Sequence, residues 1–401
     1  MSRFTYKAYL GDTEFGKQNI GEHEILIPYF EPIEVDYVLV AGGGGGGAGG
    51  AGGGAGEVQT SFLTSDPLVL DTATQYEIIV GDGGSGGYAE TGSEVTAFNQ
   101  GSGSNGEDTM LLSPFVTMSL SLGGGGAAGY YKTNPTNDAN RSGSIGGSGG
   151  GSGILAGIAS GSASGSNGYG NNGGAGYLSG SYTAPHGGGG GASTVGEDGQ
   201  IVPYELLNTR VVVDTPGAAY FYKTTYFGDE IKGTSFLITD MVSGSVRPSG
   251  SYTYNDITIT TFGGTDEVAV KNGDGGEPLV IDWVSYNGGE VGAGGGAGGN
   301  GSLANDVLNG NGGGTTGGNG QSLDGSIPAT SGSQYSGAGG GGGYIAGVSP
   351  FNVGTGADGG SGVAVLRYAA SEAKFVGGSV SIDGSYIVHT FISSSQLLPI
   401  L

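Results

Sequence analysis

The sequence predicts a mainly β protein with packed polyglycine-II helices, long irregular loops, almost no α-helix and an inserted all-β domain. Three observations carry this prediction. Of 401 residues, 95 are glycine, against a usual share of about 7%. Short runs of Val, Ile, Leu, Tyr and Thr abut the glycine tracts, at "DYVLVAGGGG" (36–45), "YEIIVGDGGSGG" (76–87), "VTMSLSLGGGG" (116–126) and "GGSGVAVLRY" (359–368). These are strand-forming residues. No amphipathic helical pattern of useful length occurs, and glycine at this density forbids one.

The distribution of glycine sets the expected order of elements. Residues 1–36 are an N-terminal β segment, and 37–200 a glycine-rich polyglycine-II block. An inserted β-sandwich or barrel-like domain occupies 201–290. A second glycine-rich block, 291–362, completes the bundle, and 363–401 is a C-terminal β segment. Within 201–290, "TRVVVDT", "AAYFYKTTYF", "TSFLITDMV", "SYTYNDITITTF", "DEVAVKN" and "PLVIDWVSY" have strand length. Alternation in "SYTYNDITITTF" breaks near Asn255-Asp256, where a turn or bulge is expected, and the sole tryptophan, Trp283, falls in the last run.

A tract such as Ala41–Gly56 can be a flexible coil, a silk-like sheet or a threefold polyglycine helix. Its alanines do not alternate with glycine, which disfavours silk. Ala48 and Ala51 are three apart, as are Ala297 and Asn300. In a threefold helix such residues share one face, leaving two glycine faces for backbone pairing with neighbours. The tract is expected to be one rod of about 15 residues, roughly 50 Å long. Coil remains the alternative.

Composition excludes several functions. Charged residues make up 12%, with 22 Tyr and 13 Phe, unlike charge-rich disordered chains. The 13 prolines and lack of a Gly-X-Y period exclude collagen. A net charge of −24, from 36 acidic and 12 basic residues, leaves no basic patch for nucleic acid. With no cysteine, disulfides and thiolate metal sites are out. No secretory leader and no membrane insertion are expected, since residues 1–17 lack an apolar core and no long apolar run follows.

Chemical motifs are weak. "GSGSNG" (101–106) fits G-x-G-x-x-G without a βαβ context, and Gly11, Gly16 and Lys17 miss a P-loop because Gln18 follows. "NDVLNGNGG" (305–313) is one unrepeated half-turn of a calcium roll. His23, His186 and His389 are far apart, and no nucleophile motif occurs. The expectation is no enzyme, no cofactor and no metal. The aromatics are more informative: Tyr88, Tyr130, Tyr131, Tyr169, Tyr177, Tyr182, Tyr335 and Tyr344 sit among small polar residues. That is the composition of adaptable binding loops; covering the glycine bundle is the alternative.

The phrases "VDYVLVAGGGGGG", "YEIIVGDGGSGG" and "GGSGVAVLRY", in that order, resemble the glycine-rich domain of bacteriophage tail fibre and receptor-binding proteins. "YIVHTF" (386–391) and "HEILIPYFEPIEVDYVLV" (23–40) resemble the join between successive units of that family. The resemblance covers roughly 23–200 and 291–395 and not 201–290. It implies a virion structural protein, a tail fibre or tail-tip adhesin, with 1–36 serving virion attachment. The implied partners are other virion proteins and a host surface glycan or outer-membrane protein. Host-contact candidates are Tyr130, Tyr131, Tyr169, Tyr177, Tyr182, Tyr252 and Tyr254. A purely architectural virion part (head fibre, decoration or tail appendage) is the alternative role, and a polysaccharide depolymerase housed in 201–290 a third. Monomer and trimer both stay open.

Overall fold

A computed structural model describes residues 7–10, 13–20, 23–28, 32–88, 101–114, 116–129, 142–153, 169–176, 185–203, 209–215, 218–224, 230–237, 250–254, 257–261, 268–299, 306–322, 325–346, 352–369, 371 and 373–400. The first strands are β1 (Lys7–Leu10), β2 (Thr13–Ile20), β3 (His23–Pro28), β4 (Ile33–Val40), β5 (Val58–Thr60), β6 (Leu68–Leu70), β7 (Tyr76–Ile79), β8 (Thr109–Leu112) and β9 (Thr117–Ser121). The middle of the chain supplies β10 (Gln200–Pro203), β11 (Thr209–Thr215), β12 (Ala218–Thr224), β13 (Glu230–Leu237), β14 (Gly250–Tyr254), β15 (Ile257–Thr261) and β16 (Val268–Lys271). Short strands β17 (Leu279–Val280), β18 (Glu290–Val291), β19 (Asp306–Leu308), β20 (Ile345–Ala346) and β21 (Asn352–Val353) follow. The chain closes with β22 (Val363–Ala369), β23 (Phe375–Val376), β24 (Ser379–Asp383), β25 (Tyr386–Phe391) and β26 (Ser395–Pro399). The α-helix described is a single turn, α1 (Ser61–Thr64), capped by Thr60 and ended by Ser65 in the left-handed region.

Two antiparallel sheets form a sandwich. One has the order β24-β25-β22-β4-β5, with β6 also on β4, and the other β23-β26-β7-β8-β9. Alternation places Val35, Leu39, Ile78, Leu111, Leu366, Ile387, Phe391 and Leu397 in one buried core, as period-two strands require. At roughly 1.5–3 kcal/mol per buried aliphatic or aromatic side chain, this core is the main source of hydrophobic stability. The "YIVHTF" phrase has a physical basis here. His389 Nδ1 lies 2.8 Å from the Gly377 carbonyl, and Nε2 lies 3.2 Å from the Tyr368 hydroxyl. That hydroxyl accepts from the Lys374 and Phe375 amides, so it donates to Nε2 and the ring is the neutral Nδ1–H tautomer.

Sandwich strands run directly into glycine rods. β4 continues as 41–47, which turns at Ala48–Gly50 and returns as 51–57 into β5. Ladder register passes unbroken into the rods. Val40↔Val58 in β4·β5 is followed by Ala41 N→Glu57 O, Gly44 N→Gly54 O and Gly47 N→Ala51 O. Val363↔Val40 in β22·β4 is followed by Gly43 N→Gly360 O, Gly46 N→Ala357 O and Gly49 N→Gly354 O. The sandwich therefore sets the alignment of the rods it feeds.

Hydrogen bonds along 42–47 change neighbour at each residue and return to the same neighbour at every third. Amides of 42 and 45 donate to 107 and 104, those of 43 and 46 to 360 and 357, and those of 44 and 47 to 54 and 51. Carbonyls of 42 and 45 accept from 124 and 127, those of 43 and 46 from 84 and 87, and those of 44 and 47 from 340 and 343. All donation goes to antiparallel neighbours and all acceptance comes from parallel ones. Six neighbours surround one threefold rod, a hexagonal lattice in which each backbone group is satisfied. A Cβ at Gly44 would fall on the Gly125 carbonyl oxygen, and one at Gly53 on that of Gly44. Only glycine permits such approach.

Three expectations change. Ala41–Gly56 is two antiparallel rods joined by a turn and paired through Ala41 N→Glu57 O, Gly44 N→Gly54 O and Gly47 N→Ala51 O, and not one rod. Ala48 lies in the turn between them, where Gly49 has φ +55°. Ala48 and Ala51 mark no exposed face, because both are fully buried. In addition, "PLVIDWVSY" is not a full strand: β17 ends at Val280, and the following loop lies on the outer valines of the first sheet. Ile281, Val284 and Val291 pack there against Val38, Val40, Val58, Val363 and Val365. Within 201–290, the backbone reverses between Tyr254 and Ile257, and Gly273, Gly275 and Gly276 hydrogen-bond into the lattice.

Candidate interaction face

Rod topology sorts the chain's connections by end. The sandwich end holds the tight reversal Gly191–Thr194, where one amide bonds back to one carbonyl, and the 281–289 loop between β17 and β18. The opposite end receives the flanks of five further connections. Tyr88 and Gly101, which flank 89–100, lie beside the Ala48 turn, with Ala48 N donating to Gly101 O. Gly129 ends the rod whose Ala128 pairs with Ala51, and Ser142 opens the rod whose Ser144 pairs with Gly126, so 130–141 starts and finishes there. Gly187 accepts from Gly52, and Gly273 bonds His186 and Ala297; these place the flanks of 177–184 and 204–267 at the same end. The flanks of 347–351 belong there too, since Gly343 and Gly354 bond Gly47 and Gly49.

The contact candidates divide accordingly. Tyr130, Tyr131, Tyr177 and Tyr182 lie outside the described residues, in the 130–141 and 177–184 connections. Tyr252 and Tyr254 are on β14, opposite Ile259 and Ile257 of β15, within the 204–267 connection. Tyr169 lies at the sandwich end: it exchanges backbone hydrogen bonds with Val58 at 2.8 and 3.1 Å and packs half-buried on the valine cluster. The three-histidine alternative ends differently for each ring. The His23 side chain lies outside the described residues, His389 is in the sandwich core, and His186 is fully buried at the far end of its rod. Burial pushes His186 down to about 4. His389 is also lowered by burial, with the Gly377 hydrogen bond opposing. Among the described residues no His/Asp/Glu group has the arrangement to hold a metal ion.

Acidic and amide side chains have a role the sequence reading missed. At the lattice rim, amides that face no rod are met by side chains. Asp108 accepts from Gly123 (2.8 Å), Asn105 from Gly126 (2.9 Å), Asp358 from Gly86 (2.7 Å), Asp198 from Ala175 (2.6 Å) and Asp274 from Asn311 (2.7 Å). Charge-assisted bonds of this kind are stronger than neutral ones. The signal in the sequence is spacing: Ser102, Asn105 and Asp108, or Thr355 and Asp358, recur at three. Lys271 bridges Glu197 and Asp274 at the foot of the 204–267 connection. Burial lowers its pKa, but the two carboxylates more than offset this and the net shift is upward.

A family description, "Glycine-rich domain", matches residues 25–369, through both glycine-rich blocks and what lies between. The chain belongs to the glycine-rich domain family. No curated protein and no solved structure matches it. For this glycine-rich domain, the match includes the sandwich strands β4 and β22 as well as the rods, in keeping with the continuous register between them. No helix among the described residues is long and apolar enough to cross a membrane.

Proposed function

We propose that this glycine-rich domain protein is a phage virion component, a tail fibre or tail-tip adhesin that recognises the host cell surface. One observation carries the reading: the 89–100, 130–141, 177–184, 204–267 and 347–351 connections leave the lattice at the end opposite the sandwich, and six of the seven contact tyrosines lie in three of them. A lattice of rods fixed by backbone bonds is a rigid platform, and binding residues gain from being held on rigid elements. The sandwich, where residues 32–40 and 363–400 enter the body, is then the virion-facing end. The activity is binding, to a host surface glycan or outer-membrane protein, and requires no bond-breaking chemistry.

The test uses purified protein on a panel of bacterial cells. Wild type binds a susceptible strain, and a variant with 130–141 and 177–184 each replaced by a short Gly-Ser link loses binding while keeping its unfolding temperature. Undiminished binding by that variant overturns the assignment of the face. Binding to other virion proteins but to no cell favours the architectural role, and sugar release from envelope favours the depolymerase.

A further inference from the structure

The structure assigns a second binding surface, at the sandwich end, for a neutral saccharide. It stands on the geometry around the 281–289 loop and not on the virion reading. Six side chains in two groups line it. The Arg367 guanidinium lies between Trp283 (4.6 Å to the ring centroid) and Tyr386 (4.4 Å), and pairs with Asp36 at 3.0 Å. Tyr286 meets Tyr335 edge to face, centroids 5.6 Å apart. All four rings are half-buried, with Trp283 and Tyr335 seated on the valine cluster.

The backbone here is held in costly conformations. Among the described residues, three non-glycine positions have positive φ, and two are here: Asn287 (+52°) and Tyr335 (+63°). Asparagine tolerates this region, whereas tyrosine is held there at a cost of about 1 kcal/mol or more. Asn287 Nδ2 donates to the Gln334 carbonyl (2.9 Å), and Tyr335 N to Ser361 Oγ (3.1 Å), so the two strained segments brace each other. Strain of this kind collects at ligand sites.

The chemistry selects the ligand. The half-buried Tyr286 and Tyr335 rings, and the parts of Trp283 and Tyr386 that Arg367 leaves uncovered, offer apolar surface to the C–H groups of a pyranose. Exposed Asp282, Asn287 and Gln334 beside them offer acceptors and donors for hydroxyls. An anionic sugar is disfavoured, because Arg367 is already paired and stacked and the chain carries a net charge of −24.

Trp283 is the sole tryptophan, so its emission reports on this surface alone. The full chain is titrated with chitohexaose, cellohexaose and maltohexaose at up to millimolar concentration. At least one gives a saturable change in emission, weakened at least tenfold by Tyr286→Ala and by Tyr335→Gly. The second variant removes a ring where glycine suits the backbone, so folding is kept and is checked by the thermal midpoint. Replacing the 130–141 and 177–184 connections leaves the titration unchanged. No response to any of the three sugars, a response insensitive to both variants, or a response to decaproline alone overturns the proposal.

Discussion

A methyl group at Gly44 has nowhere to go, because the Gly125 backbone fills the space. Rod backbones cannot yield as a flexible side chain would. Gly44→Ala should therefore cost about 3 kcal/mol or more, above ordinary overpacking. At the rim, Ser85 is exposed, and Ser85→Ala should cost less than about 1 kcal/mol. Urea unfolding of the two variants checks the contrast. His186 supplies a pH prediction. Its ring stays neutral in the folded state down to about 4, while in the unfolded chain it binds a proton near 6.5. The unfolded state then holds more protons across that window. Stability is full above pH 6.5 and falls as pH drops toward 4, by about 3 kcal/mol in all. His186→Gln should flatten this slope, leaving the contribution of His389, whose pKa burial also lowers.

For a rod, the unit that matters is the three-residue repeat. The rod 42–47 has neighbours on all sides and is glycine at every position. The rod 81–87 has its outward residues, Asp82 and Ser85, exposed at that spacing. The length of an uninterrupted glycine run thus reports how central a rod is. Inserting one glycine between Gly44 and Gly45 moves each later residue onto a different neighbour, whereas inserting three adds a turn and restores the faces. The one-residue insertion should lower the thermal midpoint more than the three-residue one, although it is the smaller change. Equal effects would refute the threefold register. Rim caps act on the same scale: Asp358→Ala hands the Gly86 amide, whose bond is exposed, from its carboxylate to water and should cost about 0.5–1.5 kcal/mol.

Across the whole molecule, the sandwich and the lattice should open as one cooperative body, because the β4·β5 and β22·β4 ladders run into rod pairs without a break. Amide exchange at Gly43–Gly47 and Gly52–Gly56 should be as slow as in β4 and β22, since opening a rod exposes bonds to several neighbours at once. Fast exchange in the rods with protected strands would mean that the lattice opens on its own. The same geometry separates the molecule's two ends. Substitutions in the 281–289 loop should leave cell binding by the far connections unchanged, and the reverse.

What the sequence determined by itself was local chemistry: strands at Val-, Ile- and Tyr-rich runs, a break in alternation at Asn255-Asp256, and glycine tracts suited to close backbone packing. A period of three was visible in Ser102, Asn105 and Asp108, and six consecutive glycines marked the rod with a neighbour on every face. Tertiary structure alone decided which rods touch. Glycine tracts carry no side chains to encode a partner, so register is inherited from the strands on which each tract is mounted. It also decided that Ala41–Gly56 folds back on itself, because a turn inside a glycine run has the same letters as the run. The aromatic surface was hidden for a related reason. The β22·β25 ladder brings Arg367 beside Tyr386, and only the loop on the outer valines carries Trp283 onto Arg367 and Tyr286 onto Tyr335.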